Sequence, residues 1–339
     1  MLKRVSLKDI ASQVGVSSAL VSYVLNGKNT GRINKLVAQK IRDTARELNY
    51  RTNQIARSLK TNRTNTLGFI VANISNPFSS HLARIIEDEA AKSNYTVLFG
   101  SSDENAHKFR NLIETFVNRQ VDGLILAPGE DTADQIVYLK EQQVPFVMID
   151  RYYPDLDTNY VALDNFNATY EAINHLLACG YRRIGMVNYD TTIFNLNERT
   201  RGYLAALKNE ANIDGTETLR VVMNRNIRSD VNKVMDELLA LEEPVDALLF
   251  ASNEIALYGV IHLNEIKIKV PEELAVITFD ELISWDLFYA PLTYVKQPLQ
   301  QMGEIATRFL IDSMEDINSV QQLVLPGSLI IRESTRSKA

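Results

Sequence analysis

Residues 6–28 read SLKDIASQVGVSSALVSYVLNGK and predict two short helices joined by a tight turn. Ser6 offers an N-cap with Asp9 three positions later, which is the spacing of a capping box. Gly15 can adopt the left-handed conformation that ends the first helix, and Ser17 offers the N-cap of the second. This spacing is typical of a helix-turn-helix, in which the second helix lies in the major groove of DNA.

A third helix is predicted from about Asn34 to Leu48, because its apolar residues recur on one face. It would close a small bundle over the first two helices. The residues expected in the shared core are Ile10, Ala11, Val14, Val16, Val21, Val24, Val37, Ile41, Ala45 and Leu48. Any three-helix bundle would show the same apolar pattern, so the pattern alone does not establish DNA binding.

The charge distribution favours the DNA-binding interpretation. Residues 1–63 contain 13 Lys and Arg against 3 acidic residues, whereas the remaining 276 residues contain 23 against 39. The net charge of -6 for the whole chain of 339 residues hides this asymmetry. A basic N-terminal region on an acidic body is expected when only that region meets a polyanion.

The segment 51–63 after the third helix has two interpretations. Its Asn53, Ile55, Ala56 and Leu59 have helical spacing, but the segment is too short to form a stable helix alone in water. It is either a flexible polar linker or a hinge helix that forms on DNA. In the second case Leu59 would insert between base steps in the minor groove.

From Leu67 onward short apolar strands alternate with amphipathic helices, which predicts parallel sheets covered by helices on both faces. This region is too long for one such sheet of ordinary size, so two lobes are expected. Polar residues follow several strands, where open α/β sheets bind ligands. These candidates are Asn73, Asp150, Ser252, Asn253 and Asp280, with the aromatic residues Phe78 and Trp285 nearby.

Several functional classes are disfavoured by the sequence. Cys179 is the single cysteine, so no intrachain disulfide or C-x-x-C site can form. Neither an apolar signal segment nor an apolar run of membrane-spanning length occurs, which predicts a cytoplasmic protein and argues against a solute-binding protein outside the cell. The four histidines are scattered and no common catalytic motif is present. No catalytic residue, metal or cofactor is therefore predicted.

The chain resembles the LacI/GalR (lactose-repressor) family of bacterial transcription regulators over nearly its whole length. Six stretches carry most of the resemblance: LKDIASQVGVSSALVSYVLNGK, ELNYRTNQIARSLKTNRTNTLGFIVANISNPF, VMIDRYYPD, HLLACGYRRIG, ERTRGYLAAL and ITFDELISWDLFYAPLTYVKQP. The resemblance implies an N-terminal all-α helix-turn-helix head and a two-lobed, periplasmic-binding-protein-like α/β core. It also implies a homodimer on pseudo-palindromic operator DNA and a small-molecule effector between the lobes.

By the same resemblance the head covers residues 1–50 and the hinge 51–63. The first lobe would combine 64–161 with 291–319, and the second 162–290 with 320–339. The function implied is repression of a carbohydrate-utilisation operon under the control of a sugar. The alternatives are a co-repressed regulator that responds to a purine or another metabolite, and a solute-binding protein without a DNA role.

Individual positions match the family's functional positions. Ser18, Ala19 and Tyr23 match base-reading positions, and Ser17, Ser22 and Asn26 match positions near the phosphates. Leu7 is a further DNA-binding candidate, while Asn53 and Ala56 lie beside the minor-groove leucine, Leu59. The ligand-binding candidates are Asn73, Phe78, Ser79, Asp150, Arg199, Ser252, Asn253, Asp280, Trp285 and Gln297.

Some positions depart from the family pattern. Tyr23 stands where many members carry an arginine, and Ser252 and Asn253 stand where Asn-Asp is usual. The operator and the effector therefore cannot be copied from a relative. Two alternatives also stay open in the cleft. For Asp150, Asp280 and Arg199 ligand contact is favoured over a structural charge network, whereas Trp285 would equally pack inside a lobe.

Overall fold

The computed structural model describes residues 5–26, 33–50 and 63–337. The chain divides into two compact units, residues 1–64 and 65–339. Each unit has its own hydrophobic core. Within the described ranges, no helix is both long enough and apolar enough to span a bilayer.

Three helices form the described part of the N-terminal unit: α1 (Leu7–Val14), α2 (Ser18–Leu25) and α3 (Lys35–Glu47). The capping box is present, since Ser6 Oγ accepts from Asp9 N and Asp9 Oδ2 accepts from Ser6 N. Gly15 ends α1 with a φ of 80°, a left-handed value that glycine adopts without steric cost. Ser17 caps α2. The predicted helix-turn-helix is therefore confirmed.

The three helices enclose one small apolar core. Its buried members all belong to the predicted set: Ile10, Ala11, Val21, Val24, Ile41 and Ala45. The other four predicted residues pack against this cluster while partly exposed: Val14, Val16, Val37 and Leu48. The shared core holds the inward face of α2 against α1 and α3, so the opposite face of α2 is turned outward.

The larger unit contains two six-stranded sheets. The first has the order β11-β5-β4-β3-β1-β2 and is parallel throughout. Its strands are β1 (Thr66–Val71), β2 (Thr96–Ser101), β3 (Gly123–Leu126), β4 (Phe146–Ile149), β5 (Tyr160–Leu163) and β11 (Gln322–Leu325). Its helices are α4 (Pro77–Lys92), α5 (Ala106–Asn118), α6 (Ala133–Glu141) and α11 (Leu299–Ser313). Helices α4 and α11 pack on one face, and α5 and α6 on the other.

The second sheet has the order β12-β10-β9-β8-β6-β7, with β12 antiparallel to β10. Its strands are β6 (Ile184–Tyr189), β7 (Leu219–Val222), β8 (Ala247–Phe250), β9 (Ala275–Phe279), β10 (Thr293–Lys296) and β12 (Ser328–Ile330). Its helices are α7 (Asn165–Ala178), α8 (Phe194–Ala211), α9 (Ile227–Leu239) and α10 (Asn253–Ile266). Helices α7 and α8 cover one face, and α9 and α10 the other. The two-lobed α/β core predicted from the sequence is thus confirmed.

The chain crosses between the sheets three times, each time later than the expected positions Val161, Ala290 and Val320. Strand β5 stays in the first sheet to Leu163. Strand β10 pairs with β9, so 293–296 belongs to the second sheet rather than the first. Strand β11 pairs with β5, so 322–325 belongs to the first sheet rather than the second. Backbone pairing between distant segments decides this membership, and local sequence does not reveal it.

Candidate functional site

The outward face of α2 carries the predicted DNA-binding residues. Ser18, Ala19 and Tyr23 are exposed, whereas Val21 and Val24 are buried. At 3.6 residues per turn, positions 18, 19, 22, 23 and 26 fall within an arc of about 140° on one side of the helix. These side chains are therefore presented together, opposite the face that packs into the core.

Local hydrogen bonds hold part of this face in place. Ser17 Oγ accepts from Leu20 N at 3.2 Å, which caps the helix. Asn26 Nδ2 donates to Ser22 O at 2.7 Å and to Ser22 Oγ at 3.2 Å. Leu7 is half-buried at the start of α1. The N-terminus of α2 thus presents serine hydroxyls next to the positive end of a helix, where phosphate oxygens are favoured.

The hinge candidates Asn53, Ala56 and Leu59 lie outside the described residues. Within the part of the unit that the structure describes, five basic side chains are exposed on the helices: Lys8, Lys35, Lys40, Arg42 and Arg46. Asp43 faces Arg46 at 3.6 Å. A surface of this kind attracts the phosphate backbone through a salt-dependent, sequence-independent contribution.

The larger unit contains a cavity of about 1080 Å³ whose wall comes from both lobes. Nine of the ten predicted ligand-binding residues line it: Asn73, Phe78, Ser79, Asp150, Arg199, Ser252, Asn253, Asp280 and Gln297. Most of them follow the carboxyl ends of strands β1, β4, β8 and β9. The strand ends bring together residues far apart in sequence, as parallel sheets do.

Asp150 and Asp280 occupy equivalent positions in the two sheets. Each is the residue after its strand, β4 or β9, and each has a left-handed backbone with φ of 66° or 71°. Asp150 N donates to Val161 O and Asp280 N donates to Val295 O, both at 2.9 Å. The neighbouring strand therefore fixes each backbone amide, and each buried carboxylate points into the cavity from its own lobe.

Arg199 is a buried cation on α8 that reaches the same cavity. Its Nε donates to Asn165 Oδ1 at 2.7 Å and its Nη1 donates to Ala251 O at 2.6 Å. Its Cζ lies 3.8 Å from the centre of the Phe279 ring, a cation–π contact. Three partners thus fix the guanidinium plane, which leaves it preorganised to donate further hydrogen bonds.

The three charged groups shift one another's pKa. Burial raises the pKa of Asp280 to about 6, against an opposing effect of the Arg199 charge and of Gln297, which donates to Asp280 Oδ1 at 2.8 Å. Burial also raises the pKa of Asp150, and Arg151 and Arg199 counteract it. Burial lowers the pKa of Arg199, while Asp280 and Asp150 oppose that change. Burying these three charges therefore costs free energy unless hydrogen-bonding partners compensate for it. Perturbed groups of this kind are common at binding sites.

Trp285 differs from the sequence prediction. It does not belong to the cavity wall but is buried in the core beneath α9 and α10, with only 2% of its surface exposed. Its Nε1 donates to Asp280 O at 2.9 Å. The indole therefore supports the backbone of Asp280 from behind, and the structure corrects its assignment as a ligand-contacting residue in favour of the packing alternative.

The sequence did not predict several contacts that cross the cleft. Asn76 and Asn253 exchange two amide hydrogen bonds, at 3.1 Å and 2.9 Å. Glu130 Oε1 accepts from Thr191 Oγ1 at 2.6 Å and from Thr192 N at 2.7 Å. These contacts join the first lobe to the second.

A third contact crosses the cleft at Asn195, whose Nδ2 donates to Asp150 Oδ1 at 3.3 Å. For Glu130 a sequence signal existed, because it follows β3 closely, much as Asp150 follows β4. Asn195 lies on α8 and carries no such signal. Only the approach of the two lobes brings it to Asp150.

A small helix-turn-helix unit with an exposed second helix, followed by a two-lobed α/β core with a polar cleft, defines a DNA-binding transcription regulator. Comparison with known families agrees with this class. Residues 6–53 match the model of the bacterial regulatory proteins of the lacI family, and residues 173–335 match the periplasmic binding protein-like domain.

Two curated relatives span nearly the whole chain. The HTH-type transcriptional regulator DegA of Bacillus subtilis is 32% identical over 98% of this chain and 98% of its own length. The HTH-type transcriptional repressor CytR of Escherichia coli is 30% identical over 98% of this chain and 96% of its own. This chain belongs to the LacI family of bacterial transcription regulators.

A solved structure supports the fold of the core. The LacI family regulator of Enterococcus faecium with bound ribose is 26% identical, with a TM-score of 0.71. It covers 81% of this chain and 100% of its own length. The two-lobed arrangement is thus shared with a relative whose structure contains a sugar.

Proposed function

We propose that this regulator represses a carbohydrate-utilisation operon as a homodimer, and that a sugar bound between the two lobes controls it. The observation that carries the proposal is the cavity wall, in which Asp150, Asp280 and Arg199 face one space. Carboxylates and a guanidinium can each form paired hydrogen bonds to adjacent hydroxyls, which suits a sugar. The E. faecium relative with bound ribose supports the same class of effector.

The DNA-binding step is assigned to α2. Ser18, Ala19 and Tyr23 would face base edges in the major groove, while Leu7, Ser17, Ser22 and Asn26 would lie near the backbone. Tyr23 has 45% of its surface exposed, so its side chain is accessible to a base edge. On this proposal Asn53, Ala56 and Leu59 form the minor-groove contact.

A homodimer suits a pseudo-palindromic operator, because a two-fold protein presents two identical recognition helices. One exposed apolar segment of the core supports self-association. Ile283 and Leu287 expose 85% and 84% of their surfaces, and Tyr289 exposes 60%. Apolar side chains clustered this way mark interaction surfaces more often than free surface.

Effector and operator would be coupled through lobe closure. The cleft contacts Asn76 to Asn253 and Glu130 to Thr191 form only when the lobes approach. A ligand held by both lobes favours the closed arrangement and so changes the affinity for DNA. The coupling is reciprocal, since operator DNA must change effector affinity by the same factor.

The test begins with DNA. The full-length protein is incubated with a random duplex library at physiological salt, and the retained duplexes are sequenced. Enrichment of a short two-fold sequence supports the proposal. Tyr23→Phe should weaken binding to that sequence while leaving retention of unrelated DNA unchanged. Retention without a shared sequence would contradict sequence-specific regulation.

The second stage identifies the effector class. Binding to the enriched duplex is measured by fluorescence anisotropy in the presence of neutral sugars, nucleosides and purine bases. A response to a sugar supports the proposal. A response to a purine or nucleoside alone would support the regulatory function but contradict the sugar as its effector.

A further inference from the structure

The cavity has an inner and an outer part that differ in burial. The inner wall is formed by buried polar side chains, among them Asp150, Arg199 and Asp280. The outer wall contains partly buried and exposed side chains, and the exposed ones include Met223 and Arg225 after strand β7. The total volume of about 1080 Å³ lies just above the ~300–1,000 Å³ typical of small-molecule sites. The inner cluster therefore leaves space for a larger molecule.

The outer wall contains polar groups that already have partners. Arg151 donates two parallel hydrogen bonds to Glu104, from Nη1 to Oε2 at 2.7 Å and from Nη2 to Oε1 at 2.8 Å. Glu130 accepts from Thr191 and Thr192 of the other lobe. The carboxylates of these pairs keep free lone pairs that can accept from the hydroxyl groups of a ligand, but the pairs offer no unneutralised cation.

The electrostatic balance of the wall disfavours anionic ligands. Seven carboxylates line the cavity against three guanidiniums. Two of the guanidiniums, Arg151 and Arg199, lie beside carboxylates that raise their pKa or oppose its fall. Arg225 is exposed at the rim. A phosphate group would meet like charge on most sides, which costs binding free energy.

We propose that the outer wall is a second sugar subsite, so that the effector is an uncharged oligosaccharide of at least two rings. The inner ring contacts Asp150, Arg199 and Asp280. The outer ring lies between Arg225 and the Glu130–Thr191 contact, with the thioether of Met223 against its apolar face. This inference rests on the proposed function, since it assumes that the effector is a sugar.

Closure of the cleft favours the longer ligand. Glu130 crosses from the first lobe to Thr191 and Thr192 at the rim, so an outer ring would contact both lobes there. A single inner ring would contact both lobes only through the buried cluster. The second ring thus adds binding free energy and adds to the closure that the regulator uses.

Isothermal titration calorimetry of the full chain tests the proposal. The probes are glucose, galactose and xylose, their neutral disaccharides maltose, cellobiose, lactose and xylobiose, the trisaccharide maltotriose, and glucose 6-phosphate. The expected result is that the tightest ligand has two or three rings and binds about tenfold more tightly than its constituent monosaccharide. Arg225→Ala should reduce that ratio towards one.

Arg228→Ala is the matched control, because Arg228 is exposed on the next helix and bonds Glu265 away from the cavity. It should leave the ratio at about tenfold. Tighter binding of a monosaccharide or of glucose 6-phosphate would overturn the oligosaccharide subsite but leave a sugar-responsive regulator. Binding of none of these sugars, with operator binding intact, would overturn both the subsite and the proposed sugar effector.

Discussion

Asn76 and Asn253 face each other across the cleft, and the side-chain amide of each donates one hydrogen bond to the other. Asn76 Nδ2 donates to Asn253 Oδ1, and Asn253 Nδ2 donates to Asn76 Oδ1. The orientation of Asn76 is fixed, because its Oδ1 also accepts from Phe78 N at 3.0 Å as the N-cap of α4. Asn253 must therefore present its NH₂ group to Asn76.

Asn253→Asp should weaken effector binding, since a carboxylate oxygen would then face Asn76 Oδ1 without a proton between them. The lost hydrogen bond and the repulsion together should cost about 1–3 kcal/mol of closure free energy. Calorimetric titration of the effector measures this. Asn264→Asp, exposed on the same helix α10, is the control. Equal affinities for Asn253→Asp and the wild type would contradict the role of the amide pair.

Arg199→Lys should abolish the effector response while operator binding is retained. One ammonium cannot reach Asn165 Oδ1 and Ala251 O together and stack on Phe279. The buried acceptor left unpaired should lower the free energy of unfolding by about 1–3 kcal/mol, measured by urea denaturation.

The control for that substitution is Arg201→Lys. Arg201 lies on the same helix, is exposed, and pairs with Glu198. We expect its stability and effector response to stay close to those of the wild type. A full effector response in Arg199→Lys would show that the guanidinium does not contact the ligand.

Asp280→Asn should change how stability depends on pH. The pKa of Asp280 is about 6 in the folded chain and 3.8 in its ordinary state. The folded protein therefore holds this proton where the unfolded chain has released it. The protonated Asp280 carboxyl therefore contributes to the free energy of unfolding fully below pH 3.8, and this contribution is lost as the pH rises through 6.

Thermal unfolding of the wild type and Asp280→Asn across this pH range measures the effect. The melting temperature of the variant minus that of the wild type should grow as the pH rises towards 6 and then level off. The asparagine oxygen can still accept from Gln297, and asparagine tolerates the left-handed backbone. Asp312→Asn, exposed on α11, controls for loss of a surface carboxylate. A difference that does not vary with pH would contradict the assignment.

Ser6→Ala should destabilise α1 by about 1 kcal/mol, because it removes the oxygen that accepts from Asp9 N. Amide hydrogen exchange in α1 should accelerate about fivefold. Ser12→Ala, exposed within the same helix, should not accelerate exchange, since alanine favours helix interiors. Unchanged exchange in Ser6→Ala would show that the capping box does not limit the stability of this helix.

The three helices of the described part of the N-terminal unit could be predicted almost residue by residue because their signals are local. Ser6 with Asp9, Gly15 and Ser17 each fix a helix end through bonds within five residues. The apolar spacing of α1, α2 and α3 then leaves one way to bury Ile10 and Ile41 together. Physical constraints at short range were enough here.

The core was predicted less completely because long-range contacts decide it. The carboxyl ends of the strands indicated Asp150 and Asp280, but a local pattern cannot tell whether Trp285 turns towards the cleft or the core. The sheet membership of β10 and β11 depends on partners far along the chain. The Glu130–Thr191 contact likewise exists only because two lobes close together.

The matched placement of Asp150 and Asp280 has a mechanical consequence. Their charges belong to different lobes, and the Asp150 charge raises the pKa of Asp280, so the two carboxylates repel across the cleft. Neither can turn away easily, because a neighbouring strand anchors the backbone of each. The repulsion between the two carboxylates therefore favours separation of the lobes. Arg199 offsets this repulsion by attracting both carboxylates, and ligand hydroxyl groups that donate to both carboxylates would offset it further.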